Sequence, residues 1–232
     1  MPKAIKKKIR KKTAGSEIEV KDRLSEIKNT LKKRQKTVFT YSAIVLTVVL
    51  VIAGIFIYKY ISDSKSQQLE YEAYKTYHNM YQKKTLSKQE QFQQALDLFK
   101  QAYGKKESPK LLLYIASCYY ELDRYDDALN TLNEFTKKYA DQKDLIPLTY
   151  QKMAMIYLKK GNKDEALKML DTLYKYSGNI YKDFALIETG RILEKEGRKE
   201  DAMTKYKELT EKFPESPFSE EAKAKLGIKK EG

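Results

Sequence analysis

The chain has 232 residues, of which 34% are charged and 41% hydrophobic, an ordinary balance for a folded protein. Its net charge is +14, but the first 36 residues carry +10 of it, so the positive charge belongs to a tail and not to the whole fold. One cysteine and one histidine exclude an intrachain disulfide framework and the usual zinc sites.

The basic tail spans residues 1–36. Its densest cluster, residues 6–12, is the kind of sequence that binds nucleic acid, but it contains no aromatic side chain on which a base could stack. Because an apolar segment follows the tail, we expect it to contact anionic lipid headgroups and predict no nucleic-acid binding.

A short amphipathic helix is predicted inside this tail. Ser16 is a suitable N-cap, and apolar residues recur after it at helical spacings of four, three and four. They are Val20, Leu24, Ile27 and Leu31. The stripe is too short for a confident coiled coil, so we expect it to lie on the inner leaflet, with dimerisation as the alternative and a homo-oligomer therefore possible.

Residues 37–58 contain no charged side chain over 22 consecutive positions. A helix of this length covers about 33 Å, enough for the roughly 30 Å hydrocarbon core of a bilayer. Tyr41 and Tyr58 stand where an interfacial aromatic belt is expected. The run is longer, and begins later, than the core of a cleavable signal peptide. We therefore predict an uncleaved transmembrane helix at residues 37–60.

The charges that flank this span predict its orientation. Seven basic residues lie within 20 positions on its N-terminal side, and three on its C-terminal side. The first group is Lys21, Arg23, Lys28, Lys32, Lys33, Arg34 and Lys36, and the second is Lys59, Lys65 and Lys75. The positive-inside rule then places residues 1–36 in the cytoplasm and everything after residue 60 outside it.

A helix pair recurs three times in the distal chain, at steps of 38 and 36 residues. Small residues recur where two helices must touch, and aromatic residues recur beside them. The signature residues are Ala116, Tyr119, Ala128, Ala154, Tyr157, Ala166, Gly190, Ala202 and Pro214. No valine occurs after Val51, which also favours helix over strand.

This pattern resembles the tetratricopeptide repeat, and the resemblance implies an all-α fold, an α-solenoid of helix pairs after a single N-terminal transmembrane helix. Gly161 and Gly197 stand at the turn within a pair, where Arg124 replaces glycine in the first clear copy. We predict a first solenoid helix and loop at residues 61–87, whose last apolar position is Tyr81. Repeats and a C-terminal cap helix starting at Pro217 follow at residues 88–228.

Catalytic and phosphate-binding motifs are absent from the sequence, so we predict a protein that is not an enzyme and needs no cofactor or metal. His78 has no His or Cys companion nearby and is expected at the surface. Cys118 stands on a packed helix, where we expect a buried, unreactive side chain. A reactive thiol is the alternative for Cys118.

The repeat family binds partners on its concave surface, which is lined by particular positions of each first helix. Transferred by resemblance, the partner-binding groove consists of Leu113, Ser117 and Tyr120, then Leu148, Gln151, Met155 and Leu158, then Phe184, Ile187, Arg191 and Glu194. Such a surface suits extended or helical apolar segments. The alternative is that some of these residues belong to the core, because groove and core are one residue apart in register.

The clamp with which some repeat domains hold a free C-terminal carboxylate is missing from this sequence. Ser117, Met155 and Arg191 occupy the position at which that clamp has Asn. We therefore do not expect recognition of a chain terminus.

The order of basic tail, span, repeats and the terminal segment at residues 213–226 is similar to that of the YfgM-like family. The resemblance covers residues 30–228 and implies an inner-membrane protein with a cytoplasmic N-terminus and periplasmic repeats. Its implied partners are translocon subunits, periplasmic folding factors or client chains. The alternative is a tethered assembly factor for cell-envelope or cell-division machinery.

Overall fold

The computed structural model describes residues 14–80 and 86–228. These residues form ten α-helices and no strand, as the sequence predicts. They divide into two compact units, Met1–Tyr60 and Ile61–Gly232. The basic cluster at residues 6–12 and Tyr81 lie outside the described residues.

The first unit contains α1, Ala14–Lys33, and the apolar beginning of α2, Gln35–Tyr77. Because α1 begins two residues before Ser16, the prediction that Ser16 caps it is wrong. Val20, Leu24 and Ile27 are 56 to 59% exposed, so these three members of the predicted stripe lie on the helix surface, while the side chain of Leu31 lies outside the described part of the structure.

Helix α2 is long and apolar enough over its first half to cross a membrane, judged by length and composition. Its valine, isoleucine and leucine side chains from Ile44 to Ile57 are exposed. The helix does not end at residue 60 but runs on to Tyr77, and Ser66, Ala73 and Thr76 in its last turns are buried. One helix thus carries both the apolar segment and the first helix of the repeats.

The second unit is a solenoid in which each helix packs against the next in chain order. After α2 come α3 (Lys88–Lys105), α4 (Pro109–Glu121), α5 (Tyr125–Lys138), α6 (Ile146–Lys159), α7 (Lys163–Lys175), α8 (Lys182–Lys195), α9 (Lys199–Lys212) and α10 (Ser219–Lys225). Repeat 1 is the end of α2 with α3, repeat 2 is α4 with α5, repeat 3 is α6 with α7, and repeat 4 is α8 with α9.

The end of α2 is joined to α3 by side-chain hydrogen bonds. The Ser66 hydroxyl donates to the carbonyl of Ala102 over 2.9 Å, and the Gln91 amide donates to the carbonyl of Tyr77 over 2.7 Å. Ser87 caps α3 in a capping box with Glu90. These bonds satisfy terminal backbone groups and fix the first pair, which the sequence pattern shows less clearly.

Small residues stand where the two helices of a pair cross. Ala116, Ala128, Ala154, Ala166 and Ala202 are no more than 1% exposed. Gly190 replaces alanine in repeat 4 because Tyr206 fills the place that leucine holds in repeats 2 and 3. A Cβ atom on Gly190 would lie 2.4 Å from Cε1 of Tyr206.

The turn within each pair requires a left-handed residue. Gly161 and Gly197 have φ of 76° and 77° there, as predicted. In repeat 2 that residue is Asp123, with φ of 56°, whereas Arg124 has φ of −85°. The assignment of this place to Arg124 was therefore wrong by one residue. Aspartate tolerates the conformation because its side chain is short and polar, and its Oδ1 accepts a hydrogen bond from the Tyr125 hydroxyl over 2.6 Å.

The cap helix α10 begins at Ser219, two residues after the predicted start at Pro217. Ala222 on its inner face is fully buried, and Phe218 and Leu226 pack against the core of repeat 4. Gly227 follows with φ of 73° and ends the helix. The solenoid is thus closed by a helix whose outer face is charged.

Candidate partner-binding groove

Four of the predicted groove residues surround one cavity. Ser117 and Tyr120 come from α4, and Gln151 and Met155 come from α6. The cavity has a volume of about 270 Å³ and is completed by Tyr77, Ala116, Glu121, Leu132, Lys152 and Ile156. This central cavity, between repeats 2 and 3, is the part of the predicted groove that the structure brings together.

Lys152 is the most unusual side chain of the central cavity. Its ammonium donates a hydrogen bond to the Ser117 hydroxyl, with Nζ 2.9 Å from Oγ. That hydroxyl in turn donates to the carbonyl of Leu113 over 2.8 Å. Burial lowers the pKa of Lys152, and the negative charge of Glu121 opposes the shift. A half-buried, partly desolvated cation therefore stands in the cavity with a neutral hydroxyl as its hydrogen-bond partner.

Glu121 forms a salt bridge with a lysine other than Lys152. Lys88 on α3 lies with Nζ 2.9 Å from Oε2 of Glu121. The hydrogen bond to Glu121 raises the pKa of Lys88. The negative charge of Glu121 is therefore paired with Lys88. The positive charge of Lys152 is not paired with a carboxylate in the lining of the cavity.

Tyr77 brings the end of α2 to the same cavity. Burial, followed by the charge of Glu121, raises the pKa of its hydroxyl to about 12, so the hydroxyl is neutral and able to donate at pH 7. Its ring makes edge contacts with Phe92 and Tyr114, at centroid distances of 5.2 and 5.7 Å. Repeat 1 thereby contributes a firmly packed wall to the site.

The predicted groove positions of repeat 4 do not form an open surface. Ile187 is fully buried and Phe184 is 9% exposed, with its ring against Phe218 of the cap segment. The assignment of Ile187 to a binding surface is therefore wrong, because the residue belongs to the core. The one-residue register difference between core and groove explains the error.

Arg191 is held by the cap helix. Its Nε donates to Oε1 of Glu221 over 2.8 Å, and further hydrogen bonds join it to Glu221 and Glu188. Carboxylates on both sides occupy the guanidinium, so Arg191 links α8 to α10. The prediction that it faces a partner is not supported by this arrangement.

The remaining predicted residues have mixed environments. Leu113 is 8% exposed and packs in the core, and Leu148, Leu158 and Glu194 are half-buried. Glu194 accepts a hydrogen bond from the Tyr206 hydroxyl over 3.0 Å. The open part of the groove is therefore the central cavity, to which the predicted residues Ser117, Tyr120, Gln151 and Met155 contribute.

Sequence reasoning missed Tyr77, Glu121 and Lys152. Lys152 stands at the repeat position that holds Tyr114 in the preceding copy and Glu188 in the following one. Since that position keeps neither polarity nor size, the repeat pattern carries no signal for it. The one available hint was a lysine inside the apolar first helix of a repeat.

Cys118 and His78, the two residues that we considered as reactive or metal-binding candidates, lie in different environments. Cys118 is fully buried, as predicted, and burial raises the pKa of its thiol to about 12, which favours the unreactive thiol form. His78 is exposed, as predicted, with its ring centroid 4.3 Å from that of Tyr74. Among residues 14–80 and 86–228, no group of three His, Cys, Asp or Glu side chains is arranged to hold a metal ion.

The helix pairs and the cavity between them define an α-solenoid of the class that serves as a scaffold for protein–protein interactions. The profile of the tetratricopeptide repeat-like domain family matches residues 40–227, so the chain belongs to that family. The match includes much of the apolar segment of α2 as well as every repeat.

Solved structures share this fold at low sequence identity. The nearly identical kinesin-light-chain TPR-like repeats of Podosopora anserina superpose with a TM-score of 0.52 at 15% identity, over 71% of this chain and 84% of that one. A single-substitution variant of those repeats gives 0.51 at 15% identity, over 71% and 88%. MamA gives 0.46 at 17% identity, over 54% and 70%. The comparison with curated proteins found no match.

Proposed function

We propose that this chain is a membrane-anchored scaffold that binds segments of partner proteins in the groove of repeats 2 and 3. The observation that carries the proposal is the central cavity, which is open, lies between adjacent repeats and is lined by Ser117, Tyr120, Gln151 and Met155. A solenoid built only for stability would fill such a space with apolar side chains, as it does around Ile187.

The lining indicates the kind of segment that fits. Tyr120 and Met155 offer an aromatic ring and a flexible thioether to apolar side chains. Gln151 offers an amide to a passing backbone, which has unpaired donors and acceptors when extended. An extended segment with apolar side chains is the ligand we favour.

The anchor is supported by the exposed apolar half of α2. Its exposed valine, isoleucine and leucine side chains would be costly in water, and a bilayer removes that cost. Seven basic residues before the span and three after it favour repeats on the outer side of a cytoplasmic membrane.

The resemblance to the YfgM-like family supports a more specific assignment, in which the partners are translocon subunits or periplasmic chaperones. Co-purification of the full chain in mild detergent separates this from a role in envelope or division machinery. Recovery of translocon subunits is the expected result. Recovery of division proteins without translocon subunits would contradict it.

The groove is tested by placing a charge at Met155. Met155→Glu should lower partner binding by about 1 to 3 kcal/mol, because a carboxylate enters an apolar contact, and should leave the melting temperature close to that of the parent. Partner pull-down and thermal unfolding of the full chain measure the two effects.

The matched comparison is Ala166→Glu, at a fully buried helix crossing. This change should unfold repeat 3 whether or not a partner is present. If Met155→Glu melts as early as Ala166→Glu, residue 155 belongs to the core. If it melts normally and binds as tightly as the parent, the groove is not the binding surface.

A further inference from the structure

We propose that the central cavity receives the side-chain carboxylate of an Asp or Glu within the bound partner segment, and that Lys152 is its counter-ion. The inference rests on the proposed function of the groove and specifies the chemistry of the ligand. It assigns to the partner an acidic residue flanked by apolar ones.

The charges around the cavity leave one cation without a counter-ion. Lys152 has a single hydrogen-bond partner in the structure, the neutral Ser117 hydroxyl at 2.9 Å. Glu121, the acidic side chain in the lining, forms its salt bridge with Lys88 at 2.9 Å. Within residues 14–80 and 86–228, no carboxylate forms a salt bridge with Lys152. An arriving carboxylate would therefore complete the electrostatics of the cavity.

The partial desolvation of Lys152 is consistent with a role as counter-ion to a carboxylate of the partner. Burial lowers its pKa, which means that the folded chain already holds the cation at a cost. A carboxylate that enters a partly desolvated cavity meets a stronger attraction than it would meet in water. The cost of desolvating Lys152 has then been met before the partner arrives, as in other preorganised sites.

Further donors are available for the second carboxylate oxygen. The Tyr77 hydroxyl stays protonated at neutral pH and lines the same cavity. The Gln151 side chain supplies an amide from the neighbouring helical position. A volume of about 270 Å³ admits one or two side chains and not a whole helix, so a single acidic side chain is the fitting occupant.

The location of the cavity favours a side chain over a chain terminus. Apolar surface lies on either side, from Tyr120 on α4 and from Met155 on α6. A segment that contacts both residues therefore crosses the cavity, which Lys152 also lines.

The test selects displayed random 12-residue peptides on the full chain in nanodiscs and then uses synthetic copies of the selected peptides. We expect an acidic residue in each selected sequence. Changing it to its amide should weaken binding to the parent at least tenfold. Binding to Lys152→Met should be weak already and should not depend on that change, which is the signature of a direct pair.

The control is Lys159→Met, which removes an exposed lysine from the same helix and should leave affinity unchanged. Lys152→Met should melt at or above the parent temperature, because a thioether carries no desolvation cost. Lys152→Gln is the second neutral variant and should behave as Lys152→Met does, so that the result does not depend on one substitution.

The possible outcomes test the counter-ion role of Lys152 separately from the proposed function of the groove. If selected peptides lose affinity for Met155→Glu but not on the acid-to-amide change, the groove stands and the counter-ion role of Lys152 is overturned. If amidation of the peptide terminus, and not the side-chain change, removes binding, the ligand is a terminus and the inference is overturned. If selected peptides bind Met155→Glu as tightly as the parent, the proposed function itself fails.

Discussion

Gly190 and Tyr206 show how one residue adjusts a repeat. Repeats 2 and 3 place alanine opposite leucine at this crossing, whereas repeat 4 places glycine opposite tyrosine. Tyr206 is 2% exposed, and its hydroxyl donates to Glu194 over 3.0 Å, so the ring has no room to retreat. The pair conserves volume across the helix crossing, as close packing requires.

Gly190→Ala should therefore destabilise repeat 4. The new Cβ would lie 2.4 Å from the Tyr206 ring, and overpacking of this kind costs about 1 to 3 kcal/mol. Thermal unfolding of the full chain should show a melting temperature lower by a few degrees. The control is Gly104→Ala in α3, where no atom lies within 4 Å of the added Cβ. There alanine should stabilise the helix by about 0.5 to 1 kcal/mol, and equal effects of the two changes would contradict the packing argument.

The properties of Lys152 depend on residues that are distant in the chain. Apart from its place inside an apolar helix, a lysine among 46 basic residues carries no sequence signal. Its environment arises only because α4 and α6 bring Ser117 and Glu121 next to it. Side chains that gain their properties from neighbours more than 30 residues away cannot be identified from local spacing.

Among the elements, α10 is attached to the solenoid mainly through one small face and two ionic links. Arg191 binds Glu221, and Lys225 lies with Nζ 2.8 Å from Oε2 of Glu194. Hydrogen bonds from Arg191 hold the pKa of Glu221 below its ordinary value of 4.5, and hydrogen bonds from Lys225 and Tyr206 do the same for Glu194. A short helix of seven residues depends on such links because it makes few backbone hydrogen bonds of its own.

This arrangement predicts that α10 loosens in acid. A carboxyl whose pKa is lowered by folding stabilises the fold above its ordinary pKa, and the contribution is lost as the pH falls through the folded value. Hydrogen-exchange protection of the Ala222 amide should fall about fivefold below pH 4.5, since partly exposed ion pairs contribute about 1 kcal/mol or less. Glu221→Gln should reduce this pH dependence, and Glu221→Gln combined with Glu194→Gln should abolish it. An unchanged profile in the double variant would show that other groups control the cap.

Helix α1 exposes apolar side chains among its described residues. Its exposed stripe of Val20, Leu24 and Ile27 agrees with a helix that rests on a membrane surface and equally with one that dimerises. The two uses bury the same side chains, so the stripe alone does not distinguish them.

For the whole molecule, the distribution of charge predicts its orientation in a membrane. Protease added to intact spheroplasts should remove the chain beyond Tyr60, because the repeats are expected on the outer side. Protection of the repeats in spheroplasts, with digestion only after lysis, would overturn the assignment. A variant in which Lys32, Lys33, Arg34 and Lys36 are changed to Gln should lose the uniform orientation, since these residues make up most of the charge bias close to the span.

The sequence by itself determined the fold class, the length of the apolar segment and the positions at which helices cross. These features follow from local periodicity: a spacing of three or four, a glycine at a left-handed turn, a small residue at each crossing. Gly161, Gly197 and the buried Ala128 lie where that periodicity placed them. Each requirement is met within a few residues of chain, so it is visible in the order of the letters.

Only the tertiary structure decided which predicted groove residues are exposed. Ile187 and Met155 were both predicted to line the groove. Ile187 is buried in the core of repeat 4, whereas Met155 borders the open cavity. Arg191 is occupied by Glu221, whereas Lys152 has only a hydroxyl. Exposure and charge balance depend on what adjacent repeats place opposite a side chain. That information lies 30 or more residues away and becomes available only when the helices pack.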